Sequence, residues 1–137
     1  MKPIDSAKLK EALQLLNEQL ELHGHPRTEL VVCGGSALIA MGLVQRTTQD
    51  IDVVALMENG RLAVHYIDRT DQIHFKVFAA VDRGGYHISD LKALHPADDE
   101  LYRAALWSME QDVSEGFRYL LREMFNQNGW ENVGARI

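Results

Sequence analysis

Two short stretches in the first half of the chain carry residue types suited to phosphoryl chemistry. Asp50-Ile51-Asp52 sets two carboxylates two residues apart, and Gly34-Gly35-Ser36 sets a glycine pair ahead of a hydroxyl, with thirteen residues between the two stretches. Side chains alternate across a strand, so on an extended segment Asp50 and Asp52 share one face while Ile51 and Val53 take the other. Two acids so close repel each other and are costly to desolvate, and a divalent cation relieves both penalties. Gly34 and Gly35 can take backbone conformations closed to other residues and let a ligand approach the main chain. A helix opening at Ser36 would point its first free N–H groups into the same space, where they attract phosphate. A polyphosphate cradle beside a Mg²⁺ site is what two-metal phosphoryl transfer requires, with ions roughly 3.5–4 Å apart between attacking and leaving oxygens. Mg²⁺ prefers a few carboxylates plus substrate phosphates to an all-protein cage.

The elements that must position these residues are legible around them. Leu30-Val31-Val32-Cys33 reads as a buried strand, Ser36 to Met41 as the start of a helix closing near Gly42, and Asp50 to Leu56 as a second strand. Gln45 to Gln49 is a polar connection between them. Upstream, Leu9, Leu13, Leu16 and Leu20 fall at helical spacing and predict an amphipathic helix over 6–23 that packs on the core. Asp5 or Ser6 caps its start, and Gly24 with Pro26 stops it. Downstream, Asn59-Gly60 lies between two apolar runs, which is a strong hairpin signal. A two-residue turn there pairs residues whose numbers sum to 119, so Asp52 faces Ile67 and Val54 faces His65. On that register His65 and Ile67 share the carboxylate face and Asp68 points away. A slip of one residue would bring Asp68 round, and Glu58 is a further candidate at the turn.

Glycine-glycine-serine, a short helix, then Asp-x-Asp on a strand resembles the signature of the DNA polymerase β-type nucleotidyltransferase superfamily. The fuller stretches Val31 to Leu38 and Arg46-Thr47-Thr48-Gln49-Asp50-Ile51-Asp52-Val53-Val54 resemble small bacterial nucleotidyltransferases of the kind found as toxins in type IV toxin–antitoxin and abortive-infection systems. The resemblance is strongest over about 28–56. Those proteins often carry a later helical Lys followed by Arg and Asp-Leu, places that Lys76, Arg83 and Asp90-Leu91 can fill. The resemblance implies an α+β fold: a nucleotidyltransferase-like small mixed sheet flanked by helices, with a C-terminal helical portion. It implies Asp50 and Asp52 as the catalytic, metal-holding carboxylates for Mg²⁺ or Mn²⁺. It implies Gly34, Gly35, Ser36, Arg46, Thr48 and Lys76 as nucleotide-binding residues. Active members usually hold a third carboxylate on the neighbouring strand, and the predicted register places none there.

The remaining chain reads as helices. Residues 71–83 carry Ile73, Val77 and Val81 on one stripe with Lys76 off it, as a solvated lysine or a phosphate contact. Gly84-Gly85 breaks this helix, and His87 to Leu94 gives a short one in which Asp90 can pair with Arg83 or Lys76. Helices are expected over 97–111 and from a cap at Asp112 or Ser114 to Gly129. At 137 residues the chain is read as one domain, with a sheet-containing core over 1–95 and C-terminal helices over 96–137. The net charge of −6 argues against a broad, sequence-independent grip on DNA or RNA, while leaving room for a local pocket for an NTP or an RNA end. No run of about 18 apolar residues suggests a membrane span, and no apolar stretch at the N-terminus suggests a signal peptide. Cys33 is the single cysteine, which fits a cytoplasmic protein without disulfides. His23 and His25 lack zinc-site company.

Besides a purely structural interaction module, two functions fit these readings. One is a metal-dependent nucleotidyltransferase that moves an NMP from an NTP to an acceptor hydroxyl on RNA, protein or a small molecule, with an antitoxin as a cognate partner. The other is a nucleotidyltransferase fold that binds or regulates without catalysing, because it lacks the third carboxylate.

Overall fold

The computed structural model describes residues 3–24, 28–45, 47, 52–58 and 63–137, with Thr28 and 52–58 described by their backbone alone. The chain divides into two compact units, Met1–Ile67 and Asp68–Ile137.

The first unit runs α1 (Ser6–Leu22), β1 (Thr28–Cys33), α2 (Gly34–Ala40), β2 (Asp52–Glu58) and β3 (Ala63–Tyr66). Asp5 caps α1, its carboxylate accepting from the Lys8 N–H at 2.9 Å. The leucine stripe of α1 is only partly used. Leu9 is buried and Leu13 packs against the sheet, whereas Leu16 is 40 % exposed. The sheet core is Leu30 and Val32 of β1 with Ala37 of α2, flanked by Leu13, Val64 and Tyr66.

The sheet corrects the predicted hairpin. Its strand order is β2-β1-β3, so β2 and β3 both pair with β1 and not with each other. β2 is antiparallel to β1 and β3 is parallel to it. Asp52 therefore has Cys33 as its cross-strand partner, not Ile67, and His65 lies opposite Val31, not Val54. The register shifts between Val31 and Val32, where β2 carries one extra residue, a bulge. The physical reason for the misreading is reach. Glu58 and Ala63 end up at the same end of β1, about 9.6 Å apart across one strand, a gap that four residues span as readily as they close a turn.

The second unit is helical: α3 (Arg69–Arg83), α4 (Tyr86–Ala93), α5 (Asp98–Gln111), α6 (Glu115–Gln127) and a short α7 (Glu131–Gly134) that the sequence reading did not foresee. Asp68 caps α3 by accepting from the Asp71 N–H at 2.9 Å, so the acid that a register slip would have brought to the sheet starts a helix instead. Gly84 and Gly85 turn the chain at φ near +57° and +56°, a region that favours glycine, and α4 folds back along α3. Ser114 caps α6, accepting from the Phe117 N–H at 3.2 Å. The core of this unit includes Ile73 and Val77 of α3, Leu101 and Ala105 of α5, and Leu121 and Phe125 of α6. The mixture of a small sheet and flanking helices is the expected α+β class. Among the described residues no helix is long and apolar enough to cross a membrane.

Candidate functional site

The glycine turn of the first unit is built by the end of β1. Cys33 is extended, at φ −130° and ψ −173°, and gives α2 no side-chain cap. The chain then reverses at Gly34 with φ +68°, a conformation that other residues reach only with strain. The first N–H groups of α2 have no helical partner, as at any helix start. Ser36 is almost wholly buried, and its hydroxyl donates to the Cys33 carbonyl at 3.1 Å. That bond ties the turn to the strand and uses the single hydroxyl proton, so a phosphate oxygen could take that proton only after the hydroxyl rotates.

The strand register brings Asp52 of the second stretch to the same place. Cys33, one residue before the turn, pairs with Asp52, the first residue of β2. Asp52, at the start of β2, thus lies beside the glycine turn at one end of the sheet. Asp50, Arg46 and Thr48 lie outside the described residues. Among the described residues no group of three or more His, Cys, Asp or Glu gathers as metal ligands. Farther down β1, Glu29 Oε2 and His65 Nε2 stand 4.0 Å apart. Tyr66 on β3 is partly buried, and that burial raises its phenol above the usual range. A cavity of about 440 Å³ lined by Asp5, Ser6, Ile39, Gly42, Val44, Gln45 and Thr47 opens at the far end of α2, about 10 Å along that helix from Gly34.

In the second unit Lys76 is not a solvated surface lysine. It is 3 % exposed, and its Nζ lies 2.7 Å from Oδ2 of Asp90, itself 1 % exposed. Of the two pairings the spacing allows for Asp90, the structure makes the one with Lys76. Arg83 instead stands beside its neighbour Asp82 at the surface, 3.5 Å away. His87 Nδ1 is 3.5 Å from the ammonium, and the Tyr86 ring centroid is 5.8 Å away. His74 has a structural place, with Nδ1 2.7 Å from the Thr70 carbonyl and its ring edge-on to Trp107. Sequence reasoning missed His87 and Tyr86 as companions of Lys76. The signal was available in Gly84-Gly85, which folds α4 back along α3 and buries His87, Asp90 and Leu91. It also missed Gln72, one turn before Lys76 and fully buried.

A family model described as a nucleotidyltransferase of unknown function, DUF6036, matches residues 7–92. The chain belongs to that family. The DUF6036 match begins inside α1 and ends inside α4, so it takes in the glycine turn, the Asp50–Asp52 stretch and the Lys76–Asp90 pair. The DUF6036 span leaves α5, α6 and α7 outside it. No curated protein and no solved structure matches the chain.

Proposed function

We propose that this nucleotidyltransferase-family protein transfers an NMP from an NTP to an acceptor hydroxyl, in the manner of the DNA polymerase β-type superfamily. The acceptor oxygen forms a bond to the α-phosphorus, the bond from that phosphorus to the bridging oxygen breaks, and pyrophosphate leaves while the acceptor gives up its proton. The observation that carries the reading is the pairing of Cys33 with Asp52, which sets the glycine turn beside the start of β2 at one end of the sheet. The turn's backbone N–H groups at Gly34, Gly35 and Ser36 would take the terminal phosphates. Arg46 and Thr48, on the connection into Asp50, carry the polar groups to steady them. Asp50 and Asp52 are the donors that suit Mg²⁺ or Mn²⁺, whose part is to neutralise charge on the phosphates. What the protein contributes is position and electrostatics, as in other phosphoryl transfers. The resemblance to type IV toxins supports RNA or protein as the acceptor, and a cognate antitoxin as a partner.

Incubation with each α-labelled NTP, Mg²⁺ and candidate RNA or protein acceptors tests the reading. Wild-type protein is expected to leave label on one acceptor, and Asp50→Ala and Asp52→Ala are expected to leave none while melting like the wild type. Full transfer by either variant would sink the assignment. A second reading, a fold that binds NTP without turnover, is favoured by one finding. β3 sets His65 opposite Val31, and Asp68 is used as the cap of α3. Calorimetry showing Mg²⁺-NTP binding by a protein that transfers no label to any acceptor would select it.

A further inference from the structure

Glu115, Arg118, Tyr119 and Arg122 of α6 line a solvent-open cavity of about 420 Å³, and all four belong to the second unit. Tyr119 is 60 % exposed, so a ligand reaches its ring without rearrangement of the fold. Arg118 and Arg122 are four apart, so their guanidinium groups are neighbours on the helix and repel each other. Other cations of this unit are countered: Arg69 by Glu100, Lys76 by Asp90, Arg83 by Asp82 and Arg136 by Asp99. Arg118 has no such carboxylate among the described residues. Arg122 gives Nε and Nη2 to the main-chain oxygen of Ile137, which leaves three of its five N–H donors. Adjacent guanidinium groups with spare donors suit phosphate oxygens. A free phosphate or an anionic lipid surface would use the arginines alone and meet repulsion from Glu115. Single-stranded RNA uses all four side chains. Its phosphates meet the arginines, an unstacked base lies on the Tyr119 ring, and a ribose 2′-hydroxyl donates to the Glu115 carboxylate. The net charge of −6 keeps such a contact local, to about two phosphates.

We propose that this face of α6 binds single-stranded RNA, with Arg118 and Arg122 on the phosphates and Tyr119 under a base. The inference goes beyond the transfer reading, because α6 lies outside the family span and the face binds RNA whether or not label is transferred. The full chain is titrated against a labelled single-stranded RNA oligomer by fluorescence anisotropy at several salt concentrations. Wild-type protein is expected to bind it more tightly than DNA of the same sequence. Affinity is expected to fall with salt at a logarithmic slope of about −1.4, as two phosphate contacts on a single strand require. Arg118→Ala is expected to bring the slope to about −0.7. Tyr119→Ser is expected to weaken binding about five- to a hundredfold and leave the slope in place. Glu115→Ala is expected to erase the preference for RNA over DNA. These three side chains are exposed, so the variants are expected to melt like the wild type. In wild-type protein the Tyr119 ring signals are expected to shift when RNA is added, which decides the matter even where a variant does not fold. A wild type that binds no RNA at low salt, RNA binding that Arg118→Ala and Tyr119→Ser leave unchanged, or ring signals that RNA leaves unmoved overturns the inference. Inorganic phosphate or anionic vesicles that bind as well as RNA, with no loss in Tyr119→Ser, overturn it too. RNA binding that fails beside intact NTP binding overturns this inference alone, and RNA binding as described without transfer of label to any acceptor overturns the transfer reading alone.

Discussion

Replacing Asp90 with Asn should strip the buried Lys76 ammonium of its countercharge while keeping the shape of the side chain. At 2.7 Å and an effective dielectric constant near 20, the attraction between the two charges is about 6 kcal/mol. Each ion also loses several kcal/mol of hydration on burial, so the intact pair contributes little net stability. Removing one member abolishes the attraction and keeps the other's desolvation, which costs about 3–5 kcal/mol. The second unit spans residues 68 to 137, 70 in all. For a body of that size each kcal/mol moves the thermal midpoint by about 4–8 °C, so Asp90→Asn should lower it by at least about 12 °C. Both tryptophans, Trp107 and Trp130, lie in this unit, so urea unfolding followed by their fluorescence reports on it directly. Lys76→Met should be similarly harmful, because it strands the Asp90 carboxylate. The double variant Lys76→Met/Asp90→Leu should return to within about 1 kcal/mol of wild type or exceed it, since an apolar pair needs no desolvation. The reasoning is refuted if Asp90→Asn costs less than about 1 kcal/mol, or if the double variant loses the sum of the two single losses, which is the mark of uncoupled residues.

Gly34→Ala should cost about 1–2 kcal/mol, because alanine must then occupy φ +68°, and its loss of NTP affinity should exceed that of a distant variant of equal stability. Denaturation and calorimetry on the same preparation separate the two effects. Ser36→Ala should cost about 1 kcal/mol by leaving the Cys33 carbonyl without its hydroxyl donor, measured by the same unfolding curve. Glu100 is held below the usual glutamate range, first by the Ala97 backbone N–H and then by Arg69. A depressed carboxylate stabilises above its unfolded pKa, and that contribution disappears as pH falls through its folded one. Glu100→Gln should therefore lose about 1 kcal/mol at pH 7, modest because the group faces water, with the deficit shrinking as the pH is taken below the glutamate range. Phe125→Ala should cost about 3–5 kcal/mol in the same assay, because the ring is fully buried and its removal leaves a cavity.

Local periodicity carried most of the helices. α3 appears where Ile73 and Val77 share a stripe, with its start moved two residues earlier because Asp68 supplies a cap that the stripe does not show. α7 went unseen because four residues are too few for a 3.6-residue period, and what seats them is tertiary, the burial of Val133. The strand positions were legible for a similar reason, since Leu30 to Cys33 is apolar enough to be buried. Their pairing was not. Asn59-Gly60 favours a hairpin locally, but β1 offers a hydrogen-bonding edge on each side, and the link from Glu58 to Ala63 is long enough to pass from one edge to the other. Which alternative wins depends on the whole sheet and not on the dipeptide.

That single topological change alters the search for a third carboxylate. With β1 in the centre, the strand beside Asp52 is β1, and β3 lies about 9.6 Å from β2. The residue opposite Asp52 is Cys33, which is no acid, and the acid of β1, Glu29, is four residues or about 13 Å down the strand from Cys33. β3 contributes Ala63, Val64, His65 and Tyr66, and the next acid in the chain, Asp68, is committed to the cap of α3. The described strands therefore set no third acid opposite the start of β2. The glycine turn and Asp52 were brought together by a pairing that the sequence could not reveal. Under the proposed function, holding an NTP needs the turn and Asp52, whereas deprotonating an acceptor calls for a further acid, so label transfer against calorimetric binding is the pair of assays that assigns the function.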